Sequence, residues 1–141
     1  LEARLVVALG GRVAEEIIYG KGEITTGASS DLQSVAGLAR QMVTQWGFAG
    51  AELGYTAWES PDGTSMFGRQ MASEKTQKRI DAEVGKIVDA AFGKCMALLT
   101  ENRALLDAVK DTLLEEETID KAQLDDLVKK LGVAAPALAS A

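Results

Sequence analysis

Histidine is absent from this sequence of 141 residues, and a single cysteine, Cys95, is present. Without imidazole there is no Ser-His-Asp triad, no Cys-His pair and no H-E-x-x-H zinc helix. One cysteine excludes an internal disulfide and every cysteine-rich zinc site. Aromatic residues make up only 5% of the chain, so a core must be built from Leu, Val, Ile and Ala. No run approaches the roughly 18 consecutive apolar residues of a membrane-spanning helix. The balance of 21 acidic against 15 basic residues gives a net charge of -6, a poor match to phosphate backbones, so nucleic acid is not an expected partner. Glycine-rich stretches are present, but GKGEITTG does not satisfy G-x-x-x-x-G-K-[ST], and no G-x-G-x-x-G follows a strand pattern.

What is present is helical periodicity. Leu1, Leu5, Leu9, Val13 and Ile17 recur at every fourth position, and Gly20 stands where a left-handed cap would end the helix. Gly10 and Gly11 inside it cost about 1 kcal/mol each relative to Ala, and close packing against another helix is the ordinary reason to keep them. A loop from 20 to 30 leads into a second helix, with Ser30 and Gln33 as a capping box and Asp31 in the first turn. Its apolar stripe is Leu32, Val35, Ala36, Ala39, Met42, Val43 and Trp46.

From Gly47 to about Ala72 the periodicity lapses, five glycines occur, and Pro61-Asp62-Gly63 signals a turn. This reads as a long glycine-rich loop with a short extended piece near Leu53 to Trp58. Ser73 then caps a long helix whose buried face is Ile80, Val84, Ile87, Ala91, Cys95 and Leu98, with a break around Thr100 to Asn102. A helix through Leu105, Leu106, Val109 and Leu113 follows. A last one, capped by Asp120 with Gln123, carries Leu124, Leu127, Val128 and Leu131, and Gly132 stops it. No internal repeat is found. The expected fold is all-α, a bundle of about four to five helices over residues 1–132, with 133–141 as a flexible Ala/Pro tail. The chain opens at Leu1 already in helical register, without initiator Met or leader, which reads as a fragment or processed product.

The residues able to do chemistry reduce to carboxylates: Glu15 and Glu16 late in the first helix, and Asp31 at the start of the second. Taken alone, an Asp in a first turn serves the helix macrodipole, and a Glu pair on a helix is usually a solvated face.

Three runs change the weight of those residues. GGRVAEEIIYG (Gly10 to Gly20), TTGASSDLQ (Thr25 to Gln33) and LARQMVTQWGF (Leu38 to Phe48) resemble consecutive signatures of FtsH-type ATP-dependent zinc metallopeptidases, in the same order and spacing. LLEEETID (Leu113 to Asp120) matches a fourth, more weakly. The resemblance spans positions 10 to about 120. It implies the C-terminal, helical part of a zinc protease domain that works in a hexameric ring beneath a membrane-anchored ATPase. It also implies that Asp31, the aspartate of the T-G-A-S-x-D run, is the third zinc ligand. Glu15 of the A-E-E run would orient a metal-bound histidine from behind, and Gly10 and Gly11 would let the first helix pack beneath the zinc helix. The H-E-x-x-H segment and the ATPase module are both missing here, so the chain alone is expected to hold no zinc and cleave nothing. Implied partners are the remainder of the protease domain and neighbouring subunits, and no membrane span is expected in this chain. Membrane association would come through missing segments or partners, at a plastid thylakoid or a bacterial inner membrane. The alternative is a non-catalytic FtsH-like scaffold subunit of a larger organellar membrane complex. In either reading the helix carrying Leu1, Leu5 and Leu9 would leave apolar surface exposed on the isolated chain, to be covered by the rest of the protease domain and neighbouring subunits in the first and by another protein in the second.

Overall fold

The computed structural model describes residues 1–21, 26–27, 29–59 and 72–133. Its elements are six helices: α1 (Glu2–Tyr19), α2 (Ser29–Thr44), α3 (Gly50–Leu53), α4 (Glu74–Glu101), α5 (Arg103–Glu116) and α6 (Lys121–Leu131). Among the described residues there is no strand, and the fold is all-α as expected. The Pro61-Asp62-Gly63 turn and the tail beyond Val133 lie outside the described residues.

The long α4 is the spine, and α1 and α2 pack against it and against each other. Leu5, Leu9 and Val13 from α1 meet Val35 and Met42 from α2 and Ala91 and Cys95 from α4 in one buried cluster. The four-residue spacing along α1 places Leu5, Leu9 and Val13 on one stripe, which explains why a single helix can feed one seam. A second cluster joins Val43, Ala49, Leu53, Ala72 and Ile80, so the short α3 is pinned to the first half of α4.

Two long-range contacts fix the direction of α1. Lys94 pairs with Glu2 at 2.8 Å, and Arg103 donates to the Ile17 carbonyl at 3.4 Å. Thus α1 runs alongside the C-terminal half of α4 in the same sense. The end of α2 lies beside the start of α1, since Leu5, Val6, Met42 and Phe48 line one cavity of about 220 Å³. The α1–α2 pair is therefore antiparallel. Lys94 also holds the Glu2 carboxyl below its usual range, first through the hydrogen bond and then through its charge.

Several expectations about ends and loops are met. Ser73 accepts a hydrogen bond from the Thr76 amide, Asp120 and Gln123 form the full reciprocal capping box, and the break falls at Asn102. Others are corrected. Ser30 lies inside the first turn of α2, which begins at Ser29, and its carbonyl accepts from the Ser34 hydroxyl, so it is not the cap. Gly20 has the positive φ expected, but its ψ of 169° is extended, not left-handed helical. The loop after Gly47 contains a full turn, α3, and Leu53 closes it; residues 54–59 carry no regular structure. The α2 stripe is wider than the face its neighbours cover, leaving Leu32, Ala36 and Trp46 exposed. Leu5 and Leu9 are covered by α2 and α4, and the large hydrophobics left exposed here are Val7 and Tyr19 in α1 and Leu1 just before it. A Cβ on Gly10 or Gly11 would meet nothing within 4 Å, so the close packing expected there is not made among the described residues.

Cys95 is buried core, as its helical position implies, and burial pushes its thiol above the ordinary range. The folded chain should therefore resist alkylation by iodoacetamide at pH 8 and react quantitatively only in denaturant. Rapid modification of the native chain, followed by mass spectrometry, would contradict this core.

Candidate functional site

Asp31 sits in the first turn of α2, exposed, where the helix dipole favours its negative charge. Glu15 lies in the last part of α1, half-buried, with Oε2 fully removed from solvent. Because α1 and α2 run antiparallel, the two carboxylates occupy the same end of the pair. Each is about 15 Å along its helix from the end where Leu5 meets Met42, given a rise of about 1.5 Å per residue. Among the described residues, no group of three His, Cys, Asp or Glu is placed to hold a metal ion. The donor chemistry suits zinc as far as it goes. Asp31 offers an accessible oxygen ligand, and Glu15 offers a carboxylate of the kind that backs a ligating imidazole. Both fit as contributions to a site completed by other residues.

The Glu pair is not the solvated face that spacing alone suggests. The Glu16 side chain is only 11% exposed, with Arg12 at 3.5 Å one helical turn back and Lys21 at 3.8 Å just beyond the helix. Arg12 is itself 15% exposed. Sequence reasoning passed over this cation, although its placement four residues before Glu16 is a readable i,i+4 signal.

A second polar cluster lies at the other end of α2. Arg40 donates Nε and Nη2 to Glu59 at 3.0 and 2.7 Å, Nη2 to Gln77 at 2.9 Å and Nη1 to Asp81 at 2.9 Å. The hydrogen bond to Glu59 is the main cause that raises the Arg40 pKa above its usual value. The Trp58 amide donates to the Thr44 carbonyl at 2.7 Å, so 54–59 is strapped across α2 and α4. This cluster stands nine residues from Asp31 along α2, which gives it a bracing role away from the carboxylate end.

A sequence model of peptidase family M41 matches residues 1–127. The chain is 45% identical over 133 residues to the ATP-dependent zinc metalloprotease FtsH 3 of Synechocystis sp., covering 91% of this chain and 21% of that protein. It is 46% identical over 133 residues to the ATP-dependent zinc metalloprotease FtsH of Synechococcus sp., with 91% of the chain and 21% of the relative covered. Over 142 residues it is 38% identical to the ATP-dependent zinc metalloprotease FtsH of Photobacterium profundum, covering 96% of the chain and 20% of the relative. The chain spans about a fifth of the length of these curated relatives. With the helical signatures in register, and the family match running through α1 to α6, the chain belongs to peptidase family M41.

Proposed function

We propose that this chain is the helical C-terminal part of the peptidase domain of an FtsH-type ATP-dependent zinc metalloprotease, engaged in membrane-protein quality control. Asp31 is the third protein ligand to zinc, and Glu15 is the carboxylate that orients one metal-bound imidazole. The observation that carries this reading is the placement of Asp31 and Glu15 at one end of the antiparallel α1–α2 pair.

The two imidazoles and the general base then come from an H-E-x-x-H helix elsewhere in the full-length protein. When bound, zinc supplies a water whose pKa is lowered to about 7. The residues of this chain bind and orient. Asp31 reaches from a helix start, where its charge is favoured before any metal arrives. Glu15, with one oxygen buried, fixes the tautomer of the histidine it backs. Gly10 and Gly11, open on their outer side, leave room for the zinc helix to lie close. The partners are the rest of the domain, the ATPase module and neighbouring subunits. Membrane attachment, at a thylakoid or bacterial inner membrane, comes through segments outside this chain.

Metal analysis tests the reading. The chain by itself is expected to carry no stoichiometric zinc and to leave unfolded casein intact, since one carboxylate is not a site. The full-length protein should carry one zinc per chain and cleave casein when supplied with ATP. A full-length protein without zinc would favour the scaffold reading instead.

A further inference from the structure

Two surfaces of this chain complement each other but cannot meet within one molecule. The first surrounds α3. Trp46 and Phe48 are about half exposed and Tyr55 is 91% exposed. The frame under these rings is fixed. The Tyr55 ring lies over Gly50, where any side chain would collide with it; Arg79 of α4 donates to the Glu52 carbonyl; and Trp58 and Glu59 are tied to α2. Exposed rings held in this way lose little freedom when a partner covers them. Phe48 continues the surface onto α4, where it lines the 220 Å³ cavity with Lys86 and Ile87. Lys75, Lys78 and Arg79 are exposed on α4, and among the described residues no carboxylate pairs with any of the three. Of the acids close by in sequence, Asp81 is taken by Arg40 and Glu83 by Lys86, which leaves Glu52 and Glu74 against three cations. The surface is therefore aromatic with an excess of positive charge, in a chain whose net charge is -6.

The second surface is the turn between α5 and α6. Leu113 and Leu114 are exposed, Leu114 by 76%, and they lead into Glu115, Glu116 and Glu117 with no basic residue in the last turn of α5. Anions there oppose the helix macrodipole, and Glu117 takes a left-handed backbone that usually falls to glycine, so helix stability does not account for this tip. The hairpin packs on itself and only lightly on α4. Its tip cannot reach the first surface of its own molecule. At about 1.5 Å per residue, Glu117 stands at most about 22 Å from Asn102, whereas Arg79 lies about 35 Å from Asn102 back along α4. Two tips, or two cationic faces, would repel each other. We propose that the acidic α5–α6 tip of one molecule docks on the aromatic, cationic α3–α4 face of a second copy of this chain. Leu113 and Leu114 cover the exposed rings, while Glu115, Glu116 and Glu117 meet Lys75, Lys78 and Arg79. Because the two patches differ, the contact is head to tail, and successive copies build a ring or a filament, not a two-fold dimer. None of the zinc chemistry proposed above is needed for it.

Sedimentation velocity of the chain over a concentration series tests the contact. The chain should associate beyond a dimer, and added salt should weaken the association because the charges involved are exposed. Reversing the tip (Glu115→Lys, Glu116→Lys and Glu117→Lys together) or the face (Lys75→Glu with Lys78→Glu) should each weaken association by about tenfold or more, since like charges are then set against each other. An equimolar mixture of the two reversed variants should associate again, because every tip then finds a face of opposite sign. A chain that stays monomeric throughout, a reversed variant that associates as well as wild type, or a mixture that remains monomeric would each overturn the proposal. Circular dichroism checks that the variants fold. Should either fail to do so, Leu114→Ser carries the test: about tenfold weaker association is expected, since burying a leucine contributes more than that factor, and unchanged association overturns the proposal.

Discussion

Replacing Asp31 by alanine in the full-length protein is expected to lower proteolysis by about a thousandfold or more and to strip most of the zinc. A catalytic zinc takes three protein ligands, so losing one leaves two imidazoles and a metal with no fixed geometry. The metal contributes several kcal/mol of transition-state stabilisation, and each 1.4 kcal/mol is about a factor of ten in rate. The fold should survive the change. Asp31 is exposed, and its dipole interaction in the first turn of α2 is worth only about 0.3–1 kcal/mol. Circular dichroism should therefore be unchanged while zinc content and casein cleavage collapse together. Intact proteolysis with intact zinc would show that Asp31 is not a ligand, and it would then serve only as a helix-start residue.

The second large effect concerns the fold. Leu9→Ala should destabilise this chain by about 3 kcal/mol, within the range for large-to-small changes in tight cores. Leu9 is 1% exposed and lies in the cluster where α1, α2 and α4 converge, between Leu5 and Val13 on its own helix. Helices on two sides limit how far the site can collapse, so the lost transfer energy is joined by a cavity term. A urea titration monitored by helicity would show a lower midpoint with an unchanged slope. Val7→Ala is the control: Val7 is 80% exposed, and its replacement should move stability by less than about 0.5 kcal/mol. A larger effect at Val7 than at Leu9 would mean that α1 packs by its other face.

The regular helices were legible because their signals are local. Four-residue spacing marked α1, and Ser73 and the Asp120–Gln123 pair announced helix starts whose hydrogen bonds the structure forms. The helix α3 was not legible: it is one turn, flanked by Gly47 and Gly54 with positive φ, too short for a period to emerge. Ser30 falls inside the first turn because α2 already begins at Ser29, and a capping signature in sequence locates a helix start only to within a residue or two. Leu32 and Trp46 belong to the α2 stripe by spacing, yet spacing cannot tell where neighbouring helices stop. Asp31 and Glu15 drew attention through family resemblance; periodicity alone gave them ordinary structural roles. The Arg40 cluster had no local sign, since its partners stand 19, 37 and 41 residues away.

The terminal hairpin of α5 and α6 has a consequence of its own. Neither helix contributes a fully buried residue; the two pack on each other and only lightly on α4. The α1–α4 seam joins residues as far apart as Glu2 and Lys94, and must close a long loop before it gains anything. α5 and α6 are neighbours in sequence and meet across a short turn. The chain therefore combines a bundle whose seams join residues distant in sequence with a hairpin of sequence neighbours, and the hairpin is the part that opens at lower cost. Protection of amides against exchange with solvent should fall abruptly past Asn102, at the boundary between an element set by topology and one set by proximity.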